Sequence, residues 1–161
     1  PHDVPTIVGT DPDSGELLAR PLKSNEPTGA LVFKTISDPN GDLTFIRIYS
    51  GEIKQGEKYY NSRRQREERV GRLMLMHANQ VEGIDSAKAG LIVAIVGFPD
   101  AITGDTICEK SSPISYESME FPETVISMSI KPKKTADRDK LSTVIGKLVR
   151  EDPTFKAYTE E

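Results

Sequence analysis

The sequence predicts a mainly β protein in two unequal parts: an antiparallel barrel of six or more strands over 28–118, then a shortened ferredoxin-like α/β segment over 119–161. Three observations carry this. Short apolar and β-branched runs alternate with Gly, Asn, Asp and Pro clusters through the middle of the chain, which is how hairpin-connected strands read. No amphipathic helix separates those runs, which argues against a parallel sheet with crossover helices. After Phe121-Pro122 the pattern changes, and one stripe of helical period appears.

Residues 1–27 are rich in Pro, Gly, Asp and Ser, with a turn cluster at Asp11-Pro12-Asp13-Ser14-Gly15, and are expected to be a linker or extended arm. The start, Pro1-His2-Asp3-Val4-Pro5, has neither a basic stretch nor an apolar core of a signal peptide and is expected to be a cut inside a longer protein. Six strands are predicted next: Ala30–Ile36, Leu43–Ser50, Glu57–Asn61, Glu68–Met76, Leu91–Gly97 and Asp105–Glu109. The run Leu91–Val96 is apolar on both faces and should lie at the centre of the sheet, fully buried. In the last part Val125–Ile130 is expected to be a strand and Thr154–Thr159 a returning one. Between them Leu141, Val144, Ile145, Leu148 and Val149 fall at i, i+3, i+4, i+7 and i+8 on one helix face. Asp137 is a candidate N-cap, and Pro153 should stop the helix near Glu151-Asp152. Half a plait leaves one helix face and a sheet edge without partners.

Composition narrows the function classes. No apolar run approaches the roughly 18 residues of a membrane helix. One cysteine, Cys108, excludes an internal disulfide and is expected to be a small buried apolar group, and two distant histidines, His2 and His77, offer no metal-ligand spacing. A reducing, cytoplasmic setting fits. The net charge of -4 is unevenly spread: residues 63–72, Arg-Arg-Gln-Arg-Glu-Glu-Arg-Val-Gly-Arg, hold five arginines against two glutamates. Screening confines each charge to a neighbourhood of about 8–10 Å, so this island can meet phosphate although the chain is acidic.

Several strings in order resemble translational GTPases of the elongation factor G type. They are Phe33-Lys34, Phe45-Ile46-Arg47-Ile48-Tyr49-Ser50-Gly51, Ile53-Lys54-Gln55-Gly56, Glu68-Arg69-Val70-Gly71-Arg72-Leu73, Met76-His77-Ala78-Asn79, Ala94-Ile95-Val96-Gly97 and Thr103-Gly104-Asp105-Thr106. Beyond the boundary, Pro122-Glu123, Val125-Ile126-Ser127, Lys131-Pro132-Lys133 and Glu151-Asp152-Pro153-Thr154-Phe155 resemble the start of that family's third domain. The resemblance implies that 1–27 leads from a GTPase domain, that 28–118 is the translation-factor β-barrel or second domain, and that 119–161 begins the third. It implies a parent acting in transfer-RNA and messenger-RNA translocation. Its partners would be small-subunit ribosomal RNA and protein, its own GTPase domain and its remaining C-terminal domains, with no membrane involved. Ribosomal protection proteins, release factor three, the back-translocating factor and recycling variants share the barrel and stay as alternatives. A stand-alone small-molecule enzyme in a β-barrel is the rival of another class.

No Gly-x-x-x-x-Gly-Lys-Ser/Thr string occurs, so this chain is expected to hold no catalytic residue, metal or cofactor; GTP and Mg²⁺ would belong to the parent's GTPase domain. Ser86-Ala87-Lys88 resembles a guanine-contacting tripeptide, but it precedes the apolar run and is expected to be part of the barrel. The candidate ribosomal RNA contacts are Arg63, Arg64 and Arg66, whose guanidinium forks match phosphate oxygens, and Asn40 and Gly41 in the turn Asp38–Asp42. For the arginines the alternative is a solvated hairpin paired to Glu67 and Glu68, and for the turn an ordinary hairpin whose two aspartates repel phosphate. Arg69 and Arg72 are expected to serve the strand. His77 is expected to be structural, and the lysines at 131, 133 and 134 a solubilising strand end.

Overall fold

The computed structural model describes residues 5–38, 41–77, 80–98, 100–116, 127–132, 134, 137–152 and 154–158, with the side chains of Asp38, His77 and Gln80 excepted. The Thr, Val, Ile and Tyr of the middle region build β3 (Gly29–Asp38), β4 (Gly41–Ser50), β5 (Glu52–Lys54), β6 (Lys58–Asn61), β7 (Arg66–Arg69), β8 (Arg72–His77), β9 (Gln80–Ile84), β10 (Ser86–Lys88), β11 (Ile92–Val96) and β12 (Thr106–Cys108). Eight of these pair antiparallel in the order β7-β6-β12-β3-β4-β11-β8-β9, and β10 pairs with β5 as a short ladder of its own. The sheet curls until inward side chains from both flanks share one core. Val32, Ile46, Ile48, Ile53, Tyr59, Leu73, Val93, Ile95 and Ile107 meet there. Period-two alternation explains the selection: on β4, Thr44, Ile46 and Ile48 point in and are fully buried, while Arg47 between them is exposed.

The arm expected over 1–27 is instead largely a hairpin. β1 (Thr6–Thr10) pairs with β2 (Leu17–Pro21) in antiparallel register. The turn cluster found in the sequence closes it, with Asp11 accepting from the Asp13 and Ser14 amides at 2.8 and 2.9 Å. Backbone bonds of 2.7 Å run both ways between Thr10 and Ser115 and tie the hairpin to the barrel. Beneath it Ile7 and Leu18 cover a second cluster of Cys108, Ile114 and Tyr116. Strand periodicity was hard to see because each strand has five residues and alternates against a small patch only.

Three further departures have local causes. The strand expected over Glu68–Met76 is two strands, because the chain stops pairing with β6 and begins pairing with β11 at Val70-Gly71. A Cβ on Gly71 would lie 1.9 Å from the Val96 carbonyl oxygen, so only glycine passes there. β11 is central as expected, yet Leu91 and Ile92 are 40% and 48% exposed; only Val93, Ala94 and Ile95 are enclosed. β5, β9 and β10 were not anticipated, and Ser86-Ala87-Lys88 is β10, with Ala87 in the main core.

In the last part the expected helix is α1 (Arg138–Glu151). Asp137 precedes it without a side-chain capping bond, and Asp152 takes extended angles just ahead of Pro153, as predicted for a residue before proline. Residues 127–130 are not a strand, and neither are 154–158; the strands expected there otherwise fall on residues outside the described set. Ile130 and Pro132 lie against Leu141 and Val144 of α1 around a shallow groove of about 280 Å³. The apolar stripe is open: no residue of α1 is buried, and Val144 is 53% exposed. The helix touches the barrel through its last turn, against β3.

Candidate nucleic-acid interface

The arginine run lies on the β6–β7 hairpin and the first residue of β8, with Gln65 in left-handed conformation at the hairpin turn (φ 53°). Each of the three arginines expected to meet RNA has acidic company. Asp105, fully buried, accepts Arg63 through both oxygens, from Nε and, at 3.1 Å, from Nη2. The same carboxylate accepts from Asn61 Nδ2 at 2.9 Å and from the Ile102 amide at 3.1 Å. The Asp105 bond raises the Arg63 pKa further, against partial burial, which lowers it. Arg64 reaches the Asp100 carbonyl at 3.2 Å and the Glu68 carboxylate at 3.6 Å. Arg66 pairs with Asp100 and stands 3.7 Å from Glu68.

The pairing expectation is thus met only in part: Glu68 is used, Glu67 goes to Lys110 at 3.4 Å, and Asp100 and Asp105 do the rest. Asp100 lies 34 residues beyond Arg66 and Asp105 lies 42 beyond Arg63, so neighbouring residues offered no sign of them. The Thr103–Thr106 string is the one signal that could have: it places a carboxylate under the hairpin. Outer faces of the arginines remain in water, with the side chains of Arg63 and Arg66 50% and 46% exposed.

Gly41 opens β4 with φ 132° and, like Asp42, belongs to the β3–β4 hairpin; Asn40 lies outside the described residues. The structure does not bring this turn to the arginine run but to the end of α1. Arg150 donates to Asp42 at 2.6 Å, the Ser37 amide donates to Glu151 at 2.6 Å, and Thr35 Oγ1 donates to the Arg150 carbonyl at 2.8 Å. Partial burial pushes the Asp42 carboxyl up, but the hydrogen bond and charge of Arg150, with Ser37 and Lys147, outweigh it and hold it below the usual range.

Sequence reasoning assigned Arg69 and Arg72 to the strand, and they lie on β7 and β8, both exposed. Arg20, which it passed over, is a buried tie: its guanidinium donates to the Thr28 carbonyl at 3.2 Å and to the Ser112 carbonyl and hydroxyl at 2.6 and 3.0 Å. Cys108 is buried and free, as expected. Among the described residues no cluster of His, Cys, Asp and Glu could hold a metal, and no helix is long and apolar enough to cross a membrane.

Comparison with known proteins agrees with this architecture. The family described as Elongation factor Tu domain 2 matches residues 41–108, and that described as Elongation Factor G, domain III matches 121–161; together they take in about two thirds of the chain. A crystal structure of a protein from Thermus thermophilus is similar, with a TM-score of 0.68 and 24% identity. The match covers 81% of this chain and 20% of that one. A β-barrel of the kind found in translation factors followed by third-domain sequence is the domain order of elongation factors of the G type. The chain belongs to the elongation factor G family and carries its second domain and part of its third.

Proposed function

We propose that this chain is the ribosome-docking part of a translocation factor, resting on small-subunit ribosomal RNA and protein in the cytoplasm while a GTPase domain elsewhere in the parent binds GTP and Mg²⁺. The observation that carries the reading is the order of the two family matches, barrel and then third domain, in one chain. In this reading the barrel supplies contacts and no chemistry. Arg63, Arg64 and Arg66 offer their water-facing donors to phosphates, and Asn40 and Gly41 form a second contact at the β3–β4 turn. Arginines held by carboxylates are pre-positioned, and at Arg66 meeting RNA exchanges an exposed pair with Asp100, worth about 0–1 kcal/mol, for a phosphate contact.

The test is co-sedimentation of the chain with small ribosomal subunits over a salt series. Arg64→Ala/Arg66→Ala is the informative variant, because Arg63 also neutralises buried Asp105 and its loss would disturb the fold. Binding that falls with salt and weakens in the variant supports the assignment. Absence of co-sedimentation at low salt would refute docking by this chain, and binding indifferent to the variant would remove Arg64 and Arg66 from the contact.

A further inference from the structure

The arginine run divides into two electrostatic classes. Arg63, Arg64 and Arg66 are each paired with a carboxylate, whereas among the described residues no carboxylate pairs with Arg69 or Arg72. Those two border a single cleft of about 340 Å³ where the β5–β6 turn, the β7–β8 junction and the end of β11 meet, walled otherwise by Gln55, Gly56, Val70, Gly71 and Gly97. Glycine backbone makes up much of its lining, beside Val70. Gly56 and Gly97 take left-handed angles, φ 80° and 82°, and Gly71 is pressed against Val96, so no Cβ narrows the opening at these three positions.

The donors around the cleft are already oriented. Arg69 Nε donates to the Gly56 carbonyl at 2.8 Å, which fixes the guanidinium at the rim and leaves its Nη groups with hydrogens to give. Gln55 Oε1 accepts the Leu73 amide at 3.3 Å, so the side-chain amide of Gln55 presents its NH₂ as a donor on the wall. Two guanidinium groups without a carboxylate partner, one amide donor and three glycines that leave room beside Val70 make a receptor for an oxyanion with two exposed oxygens.

We infer that this cleft is a binding site for a backbone phosphate of RNA, with Arg69 and Arg72 as its two charged contacts and Gln55 as its neutral one. The inference rests on the RNA-docking reading above for its ligand, and it deepens that reading by moving the strongest phosphate contact away from Arg63, Arg64 and Arg66. Charge decides the order: a cation already paired with a carboxylate must give up that attraction to bind phosphate, and an unpaired one need not.

Two measurements on the whole chain separate this site from the general reading. In the first, a short RNA duplex is titrated against the chain and the Arg Nε–H resonances are followed, with Arg69→Ala/Arg72→Ala, Arg69→Lys/Arg72→Lys and Arg64→Ala/Arg66→Ala alongside. The cleft predicts shifts at Arg69 and Arg72. It also predicts at least a tenfold loss of affinity at about 0.1 M salt in the first variant, and a salt slope shallower by about 0.9, the amount for one phosphate neutralised. The lysine variant should lose less, and Arg64→Ala/Arg66→Ala less than Arg69→Ala/Arg72→Ala. Unmoved resonances, or equal affinity in Arg69→Ala/Arg72→Ala, would overturn the site. Equal shifts with inorganic phosphate at the same phosphate concentration would overturn RNA as its ligand. The second measurement is subunit co-sedimentation of the same variants: binding that persists unchanged without Arg69 and Arg72 overturns the cleft while docking stands, and RNA binding at the cleft without subunit binding supports the cleft while docking fails. Unchanged far-UV circular dichroism and Tm establish that each variant is folded.

Discussion

Asp105 shows how one side chain can hold a hairpin that looks, in sequence, like a solvated charge run. Its carboxylate is wholly enclosed and satisfied by Arg63, Asn61 and the Ile102 amide. Asp105→Ala should therefore destabilise the chain by about 3 kcal/mol, since it removes charge-assisted bonds and leaves buried donors unpaired. Urea unfolding with an unchanged slope is the measurement; a change under about 1 kcal/mol would mean that water replaces the carboxylate. Arg20→Met should cost about 2 kcal/mol by the same logic, because the Ser112 carbonyl loses the guanidinium donor and the Thr28 carbonyl keeps only the Glu109 amide. Tyr59 supplies a pH signature. Burial pushes its phenol up to about 12, while its hydroxyl stays bonded to the Lys54 amide and the Glu52 carbonyl. A raised folded-state pKa means that this contribution is complete below about pH 10, the unfolded value, and is lost as pH climbs through about 12. Tyrosinate absorbance at about pH 11 should accordingly lag for Tyr59, and Tyr59→Phe should remove that lagging component while costing about 1 kcal/mol.

At the scale of elements, α1 is held by its last turn. Among the described residues three hydrogen bonds join it to the β3–β4 hairpin, and its apolar stripe is left open to solvent. An open stripe of this width marks a helix made to pack against more sheet than the described residues supply. The contact should respond to acid. Asp42 has a lowered pKa in the folded chain, so its contribution is present above its unfolded value near 3.8 and disappears as pH falls below that through the folded value. Titrating from about pH 6 to 2.5 should shift the Ser37 amide resonance as the contact opens, and Arg150→Met should open it already at neutral pH. A Ser37 resonance indifferent to Arg150→Met would show that the Glu151 and Thr35 bonds suffice. If the β3–β4 turn contacts RNA, the end of α1 shares that surface, and the two contacts are coupled through Asp42.

For the whole molecule, the unequal burial of its parts predicts unequal stability. The barrel has a continuous core and α1 has no buried residue, so amide exchange should be slow in β4 and β11 and faster by orders of magnitude in α1. Uniform protection would refute this. Much of the architecture was legible beforehand: alternation and turn chemistry placed the long strands β3 and β4, an unbroken apolar run placed β11, and the i, i+3, i+4 stripe placed α1 because fourteen residues repeat the helical period. Short strands β5, β9 and β10 were not legible, since three to five residues cannot establish a period, and β1 and β2 read as an arm because their burial depends on Ile114 and Tyr116, about a hundred residues away. The candidate interface divides in the same way. That five arginines lie together is written in their order alone, because adjacency in the chain is adjacency in space across a tight hairpin. Which of them are neutralised depends on the folded barrel, because Asp100 and Asp105 arrive from another part of it, and charge pairing follows distance in space, which separation along the chain does not report.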